Sequence, residues 1–245
     1  MGAPRAEFLL GAWELGSDQS LTGRALGLLA ATAPDSPAEV HARLPIGVRD
    51  SRLLGLRAEL FGVEVAAVTE CPACDETLDV QFDLRSLLWE QDLVADDAQD
   101  AGHLAVRGYD ITFRLPTSAD LLAVTADGEP TYDALLERCI LSTRLHGTET
   151  PLSSLPADVV AAVCDRMEAS DPVARIELAL TCPSCDQVWS SLFDIASFLW
   201  TEVDAWARRT LRDVHTLARA YGWREAEVLA LGPRRRQAYL ELVRT

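Results

Sequence analysis

Two stretches of the chain share one pattern of apolar and polar positions. From Val63 to Val68 and again from Arg175 to Leu180 the residues alternate, as in a half-buried strand. Each run enters a Cys-Pro-x-Cys turn, leaves it through a second strand-like piece, and ends at Phe-Asp, where a helical spacing begins. In the first copy Leu78, Val80 and Phe82 alternate on the way out, and Asp83 is a good N-cap for a short helix to Trp89. CPACDETLDVQFDLRSLLW (71–89) and CPSCDQVWSSLFDIASFLW (182–200) align without a gap at a constant offset of 111, with nine identities in nineteen positions.

The remaining pattern is largely helical. Leu9, Leu10, Trp13 and Leu15 form one apolar patch, and Thr22 is expected to cap a helix through Ala31. Ser36 and Pro37 begin another, which Pro45-Ile46-Gly47 is expected to end. Asp50 or Ser51 then caps Arg52–Phe61, and Gly62 closes it. Residues 90–102 read as an acidic, solvated connector. Leu104, Val106, Tyr109, Ile111, Phe113 and Leu115 alternate around Arg107-Gly108 as a hairpin. Thr117 and Asp120 make a capping-box pattern over Leu121 to Val124. After a turn at Gly128-Glu129-Pro130, Thr131 caps Tyr132–Leu141, and 148–155 is a loop. Pro156 starts a helix that buries Val159, Val160, Val163 and Met167, and Asp171-Pro172 ends it. The helix of the second copy runs on without a breaker from Asp194 to Tyr221, roughly 40 Å at about 1.5 Å per residue. Two short helices follow, Arg224–Leu231 and Pro233–Val243.

Cys-x-x-Cys in a tight turn places two thiolates on one tetrahedral ion, and two such turns supply a complete structural zinc site. The expected ligands are Cys71, Cys74, Cys182 and Cys185, brought together by the fold across 107 intervening residues. Asp75 and Asp186 follow the second cysteine of each pair, where the backbone needs a positive φ that Asp tolerates better than most residues. Two disulfides, a redox pair and a site that holds no metal are the alternatives; iron fits the same four thiolates. The chain opens on no charged stretch followed by an apolar one, so no secretory signal is expected, and a reducing compartment favours metal over disulfides. Cys139 and Cys164 lie in apolar helical patterns and read as buried free thiols.

With 49% hydrophobic residues over 245, the chain can bury a core, and it has no apolar run long enough to span a membrane. The net charge is −16, and all 22 basic residues are Arg. Residues 1–200 carry −19 and residues 201–245 carry +3, a balance that repels nucleic acid over most of the chain. No catalytic or nucleotide-binding motif is present: HExxH, GxSxG, GxxxxGK[ST] and GxGxxG are all absent, and the four His are scattered. A four-thiolate site has no open position, so its zinc would be structural.

Several stretches together resemble one family. They are LPIGVRDSRLLGLRAELFG (44–62), the CPAC and CPSC repeats, RLPTSADLL (114–122), and the run from Phe193 to Val243. The chain is similar to the baseplate proteins of contractile, T-even-type phages, in the form found in phage-tail-like contractile injection systems. The resemblance implies a non-enzymatic structural or assembly protein of the baseplate or its hub, made in the bacterial cytoplasm. It implies hub or wedge proteins of the same particle as partners, and no small-molecule substrate, nucleic acid or membrane span. It carries over no catalytic residues, and the zinc rests on this sequence alone. A zinc-ribbon nucleic-acid-binding or transcription-related module is the alternative. The expected fold is α+β and mostly helical: a duplicated strand–CPxC knuckle–strand–helix unit sharing one zinc site, plus long C-terminal helices. The expected division is a helical segment at 1–62, a zinc-linked body at 63–200 with repeats at 63–89 and 174–200, and a helical extension at 201–245.

Overall fold

The structure, a computed structural model, describes residues 6–33, 36–88, 101–126 and 131–243. It is α+β and mostly helical, with three small antiparallel sheets among the described residues. Trp89, nearly all of the acidic connector and the Gly128-Glu129-Pro130 turn lie outside those residues. The chain divides into two compact units, one of residues 1–37 and 196–245, the other of residues 38–195.

The second unit opens with α3 (Ala38–Ala42) and α4 (Ile46–Phe61). Pro45-Ile46-Gly47 starts a helix here and does not end one. Pro45 is the N-cap at φ −50, and the expected caps Asp50 and Ser51 lie inside the helix. A proline has no side-chain acceptor to offer, so distant groups satisfy the first free amides of α4. Ile46 N–H donates to the Pro116 carbonyl at 3.0 Å, and Gly47 N–H donates to Asp171 Oδ2 at 2.9 Å. A Cβ on residue 47 would lie 1.8 Å from Asp171 Oδ1, so the approach requires glycine. Asp50 instead forms a buried ion pair with Arg49 at 2.7 Å, and Arg49 also reaches Ser118 Oγ at 3.1 Å. Burial pushes the Asp50 carboxyl up to about 6 against the pull of Arg49.

Ser118 opens α6 (Ser118–Ala126), so the 44–62 and 114–122 stretches pack on one another, with a bridge between Pro45 and Thr117. The Thr117–Asp120 capping box forms, with Thr117 N–H donating to Asp120 Oδ2 at 3.0 Å. Asp120 does more than cap. Arg114 grips both of its oxygens at 2.6 and 2.7 Å, and Arg138 adds a third contact at 3.2 Å.

The four-stranded sheet has the order β3-β4-β5-β6 and comprises β3 (Gly102–Val106), β4 (Tyr109–Phe113), β5 (Ile140–Leu145) and β6 (Thr148–Glu149). Arg107 and Gly108 take φ of 50° and 81°, the two positive values that a tight hairpin turn requires. The helix expected to reach Leu141 stops earlier: α7 (Tyr132–Cys139) passes directly into β5. Ile140-Leu141-Ser142-Thr143 is too short to favour one period, and pairing with β4 decides it. β6 likewise falls inside the expected loop. α8 (Ala157–Ser170) packs Val159 and Val163 against Ile111, Phe113 and Leu136.

In the other unit α1 (Ala6–Gly16) and α2 (Leu21–Thr32) accompany α9 (Ile195–Tyr221). Ser20, not Thr22, caps α2, because its hydroxyl accepts from Gly23 N–H at 3.2 Å. Trp13 Nε1–H donates to Asp204 at 2.8 Å, and the Arg24 guanidinium lies 4.8 Å from the centre of the Trp200 ring. Gly222, at φ 71°, follows the end of α9. α10 (Glu225–Leu229) and α11 (Pro233–Val243) then fold back so that Leu217, Val228 and Leu240 form a small core. Tyr221, Trp223 and Tyr239 pack ring on ring beside it, with centroids 4.8 to 5.6 Å apart.

Candidate metal centre

Two ribbons build the site. β1 (Glu64–Glu70) pairs with β2 (Thr77–Asp83), and β7 (Glu177–Thr181) pairs with β8 (Val188–Leu192). The registers are the same once the offset is applied: Glu70 faces Thr77, and Thr181 faces Val188. Each turn is tied the same way. Cys71 N–H donates to Glu76 O at 2.9 Å and Asp75 N–H to Cys71 O at 3.0 Å. Cys182 N–H donates to Gln187 O at 2.8 Å and Asp186 N–H to Cys182 O at 3.0 Å. Asp75 and Asp186 take φ of 58° and 56°, the left-handed conformation expected of them.

All four expected ligands converge. Cys71 Sγ is 3.7 Å from Cys185 Sγ, Cys74 Sγ is 3.6 Å from Cys182 Sγ, and all four sulfurs lie within 4.8 Å of one another. Four thiolates about 2.3 Å from one tetrahedral ion stand about 3.8 Å apart. Bonded sulfurs stand about 2.05 Å apart, and all six cysteines here are free thiols. The donor set therefore fits a tetrahedral metal ion. The first cysteine of each pair is buried, with Cys71 at 1% and Cys182 at 0% exposure, and the second is exposed. Leu78 and Trp189, which occupy equivalent positions in the two copies, pack over the buried pair. Phe82 and Phe193, also equivalent, meet edge to face with centroids 5.1 Å apart. That contact was not foreseen, although the constant offset already marks the two rings as counterparts.

Crowding four thiols creates an electrostatic problem that a divalent cation solves. Burial opposes ionisation of Cys71, but the N–H groups of Ala73 and Cys74, with the Cys74 and Cys182 thiols, outweigh it and bring the group down to about 7. At Cys74 the Glu76 N–H favours the thiolate, yet the Cys185 thiol, burial and the other two thiols push it up to about 12. Cys71 ionises readily while Cys74 and Cys185 resist, so the fully ionised set needs a positive charge at its centre. With four protein donors and no open position, a metal here would brace the fold.

Cys139 is buried as expected. Cys164 is only half-buried and lies beside the Tyr132 hydroxyl. No helix among the described residues is long and apolar enough to cross a membrane.

Fold and site define a mainly helical α+β protein whose duplicated ribbons share a four-thiol centre. The chain belongs to the T4 bacteriophage base plate protein family, whose description matches residues 9–200. The match spans both ribbons and ends at Trp200, so the likeness seen in the sequence beyond that point lies outside it. No curated protein and no solved structure matches the chain.

Proposed function

We propose that this chain is a non-enzymatic structural or assembly protein of a contractile, phage-tail-like baseplate or its hub, assembled in the bacterial cytoplasm. It binds other baseplate proteins, hub or wedge, and takes neither nucleic acid nor a small-molecule substrate. Family membership over residues 9–200 carries this reading. The charge supports it, since −19 on residues 1–200 opposes nucleic acid. Cys71, Cys74, Cys182 and Cys185 hold one structural zinc, and the spacing of the four sulfurs supports that assignment.

The test is deletion and complementation in a bacterium that makes the particle. Without the chain, assembled baseplates should be lost, and a tagged copy should restore them and co-purify with baseplate proteins. Normal particles from the deletion strain, with no baseplate protein on the tagged chain, would remove the reading. Metal analysis of the reduced protein should find about one zinc per chain and a colourless solution; a red, iron-loaded protein would correct the metal.

A further inference from the structure

Trp223 and Tyr239, the obvious aromatic anchors of the C-terminal region, are half-buried in the chain's own small core. The solvent face of α9 is different. Arg208, Arg209, Arg212, His215 and Arg219 are all exposed. Steps of three and four residues place them along one side of the helix, opposite the buried Val203, Ala207, Thr210 and Leu217. Between Ala205 and Arg219 the only acid is Asp213, although the chain as a whole has 38 acidic residues against 22 basic ones. Arg208 is held by Asp204 at 2.8 Å. Among the described residues Arg209, Arg212 and Arg219 have no ion pair.

This arrangement works against the helix that carries it. Like charges three and four residues apart repel. Arg219 in the last turn is explained by the helix dipole, but Arg208, Arg209 and Arg212 lie mid-helix, beyond its reach. Arginine stems also cover apolar surface, here beside the exposed Leu211, and arginine is enriched where proteins meet. On a chain of net charge −16 a cationic strip gives an acidic partner a favourable approach.

Resting on the proposed baseplate role, we infer that the arginine face of α9 is a docking surface for a carboxylate-rich face of another baseplate protein. Charge complementarity selects that partner. Nucleic acid is disfavoured by the chain's net charge of −16, which opposes a polyanion as it approaches.

The experiment mixes the full, metal-loaded chain with the purified baseplate proteins of its own particle and follows co-sedimentation. Arg209→Glu/Arg212→Glu/Arg219→Glu is compared with the milder Arg→Gln triple variant and with Arg234→Glu/Arg235→Glu on α11. All the substituted side chains are exposed, so melting temperatures should stay close to wild type. Binding should fall at least tenfold in the Glu triple variant, less in the Gln variant, and not in the α11 variant. It should also weaken between about 0.05 and about 0.5 M salt, as the screening length shrinks below the width of the strip. If the Glu triple variant binds as wild type does, the inference is overturned and the baseplate role stands. If wild type binds none of these proteins, the baseplate reading itself fails, and the inference with it. A parallel arm uses duplex DNA: tight binding there that the Glu variant abolishes makes the strip a nucleic-acid contact and overturns the inference.

Discussion

The two ribbons are the same object on their inner side and different objects on their outer side. Inward, Cys71 matches Cys182, Leu78 matches Trp189, Phe82 matches Phe193, and Leu84 and Ile195 are both fully buried. Outward, Glu70, Thr77, Asp79 and Gln81 of the first ribbon stand where the second has Thr181, Val188, Ser190 and Leu192. The first face is acidic. The second exposes Val188 and Leu192 at 64% and 66%. Side chains that meet the shared centre or the opposite ribbon must satisfy two neighbours at once, and close packing tolerates little change there. Side chains that meet water satisfy none, so the outer faces differ in charge and hydrophobicity without disturbing the register. The geometry of the centre is thus a property of the pair, whereas the surface is a property of each ribbon.

That equivalence is most severely tested at the cysteines. Structural zinc sites bind with apparent free energies of about 10–16 kcal/mol, as large as the whole stability of an ordinary domain at about 5–15 kcal/mol. Cys71→Ser and Cys182→Ser should each abolish the cooperative melt of the reduced, metal-loaded protein, and to the same degree. Chelation should reproduce the effect in the unaltered chain. Thermal melts with metal analysis measure both, and a tolerated change at one of the two buried positions would show that the ribbons do not share one centre equally.

Between the ribbons in sequence, the chain relies on a buried charge. Asp120 is 2% exposed and takes both Arg114 and Arg138. Asp120→Ala removes the hydrogen bonds from both cations, which water can partly replace because each is a third or more exposed, and should cost about 1.5–3 kcal/mol in denaturant melts. Burial opposes the Asp120 carboxylate, but hydrogen bonds from Arg114 and Thr117 outweigh it and hold the group well below its usual 3.8. The stability that follows is fully present above the usual carboxylate range and is lost as the pH falls below it. Asp120→Asn should flatten that acid limb. A metal held by the four thiols would also be released in acid, in Asp120→Asn as in the unaltered chain, so the readout is the difference between the two at each pH.

The edge-to-face rings are the next contact that joins the copies. Both are half-buried, so Phe82→Ala and Phe193→Ala should each cost about 2 kcal/mol. The double variant should cost about 0.5–1.5 kcal/mol less than the sum, the coupling expected of an aromatic pair. Strict additivity would mean that each ring packs only on its own ribbon.

What could be read from the sequence follows the same division. The ribbons, their turns, the left-handed Asp75 and Asp186 and the meeting of the four cysteines were all legible, because the chain states the unit twice and alternation needs only local residues. The end of α9 and the start of α11 were legible because Gly222 and Pro233 act locally. The start of α4 was not. Its Gly47 amide is satisfied by Asp171, which is 124 residues away in the chain, and no periodicity reports a partner at that distance. β5 was missed for a related reason. Ile140–Leu145 fits helix or strand locally, and only β4 beside it settles the choice. Ser20 displaced Thr22 as a cap within two residues, the usual uncertainty of a helix end. The packing of Trp13 on α9 and of Trp223 and Tyr239 into a small core is equally invisible in a linear pattern.

The smallest effect is also the sharpest probe of the pairing, because it can raise stability. Asp75 and Asp186 sit at φ 58° and 56°, a region where an L residue with a Cβ is strained by about 1–2 kcal/mol, less for Asp. Four thiolates and one divalent ion would carry a net charge of −2 beside these two exposed carboxylates, so each adds repulsion as well. Glycine removes both the strain and the charge, at the cost of more freedom in the unfolded chain. Asparagine removes the charge and keeps the left-handed tolerance. Asp75→Gly and Asp186→Gly should therefore each raise stability by a few tenths of a kcal/mol up to about 1 kcal/mol, with Asp→Asn giving only the electrostatic share. The Asn gain should vanish in high salt, and the rest of the Gly gain should not. Equal gains at 75 and 186 are required if the turns are equivalent. A gain at one turn and a loss at the other would show that the two backbones, though matched in hydrogen bonding, do not carry the same strain.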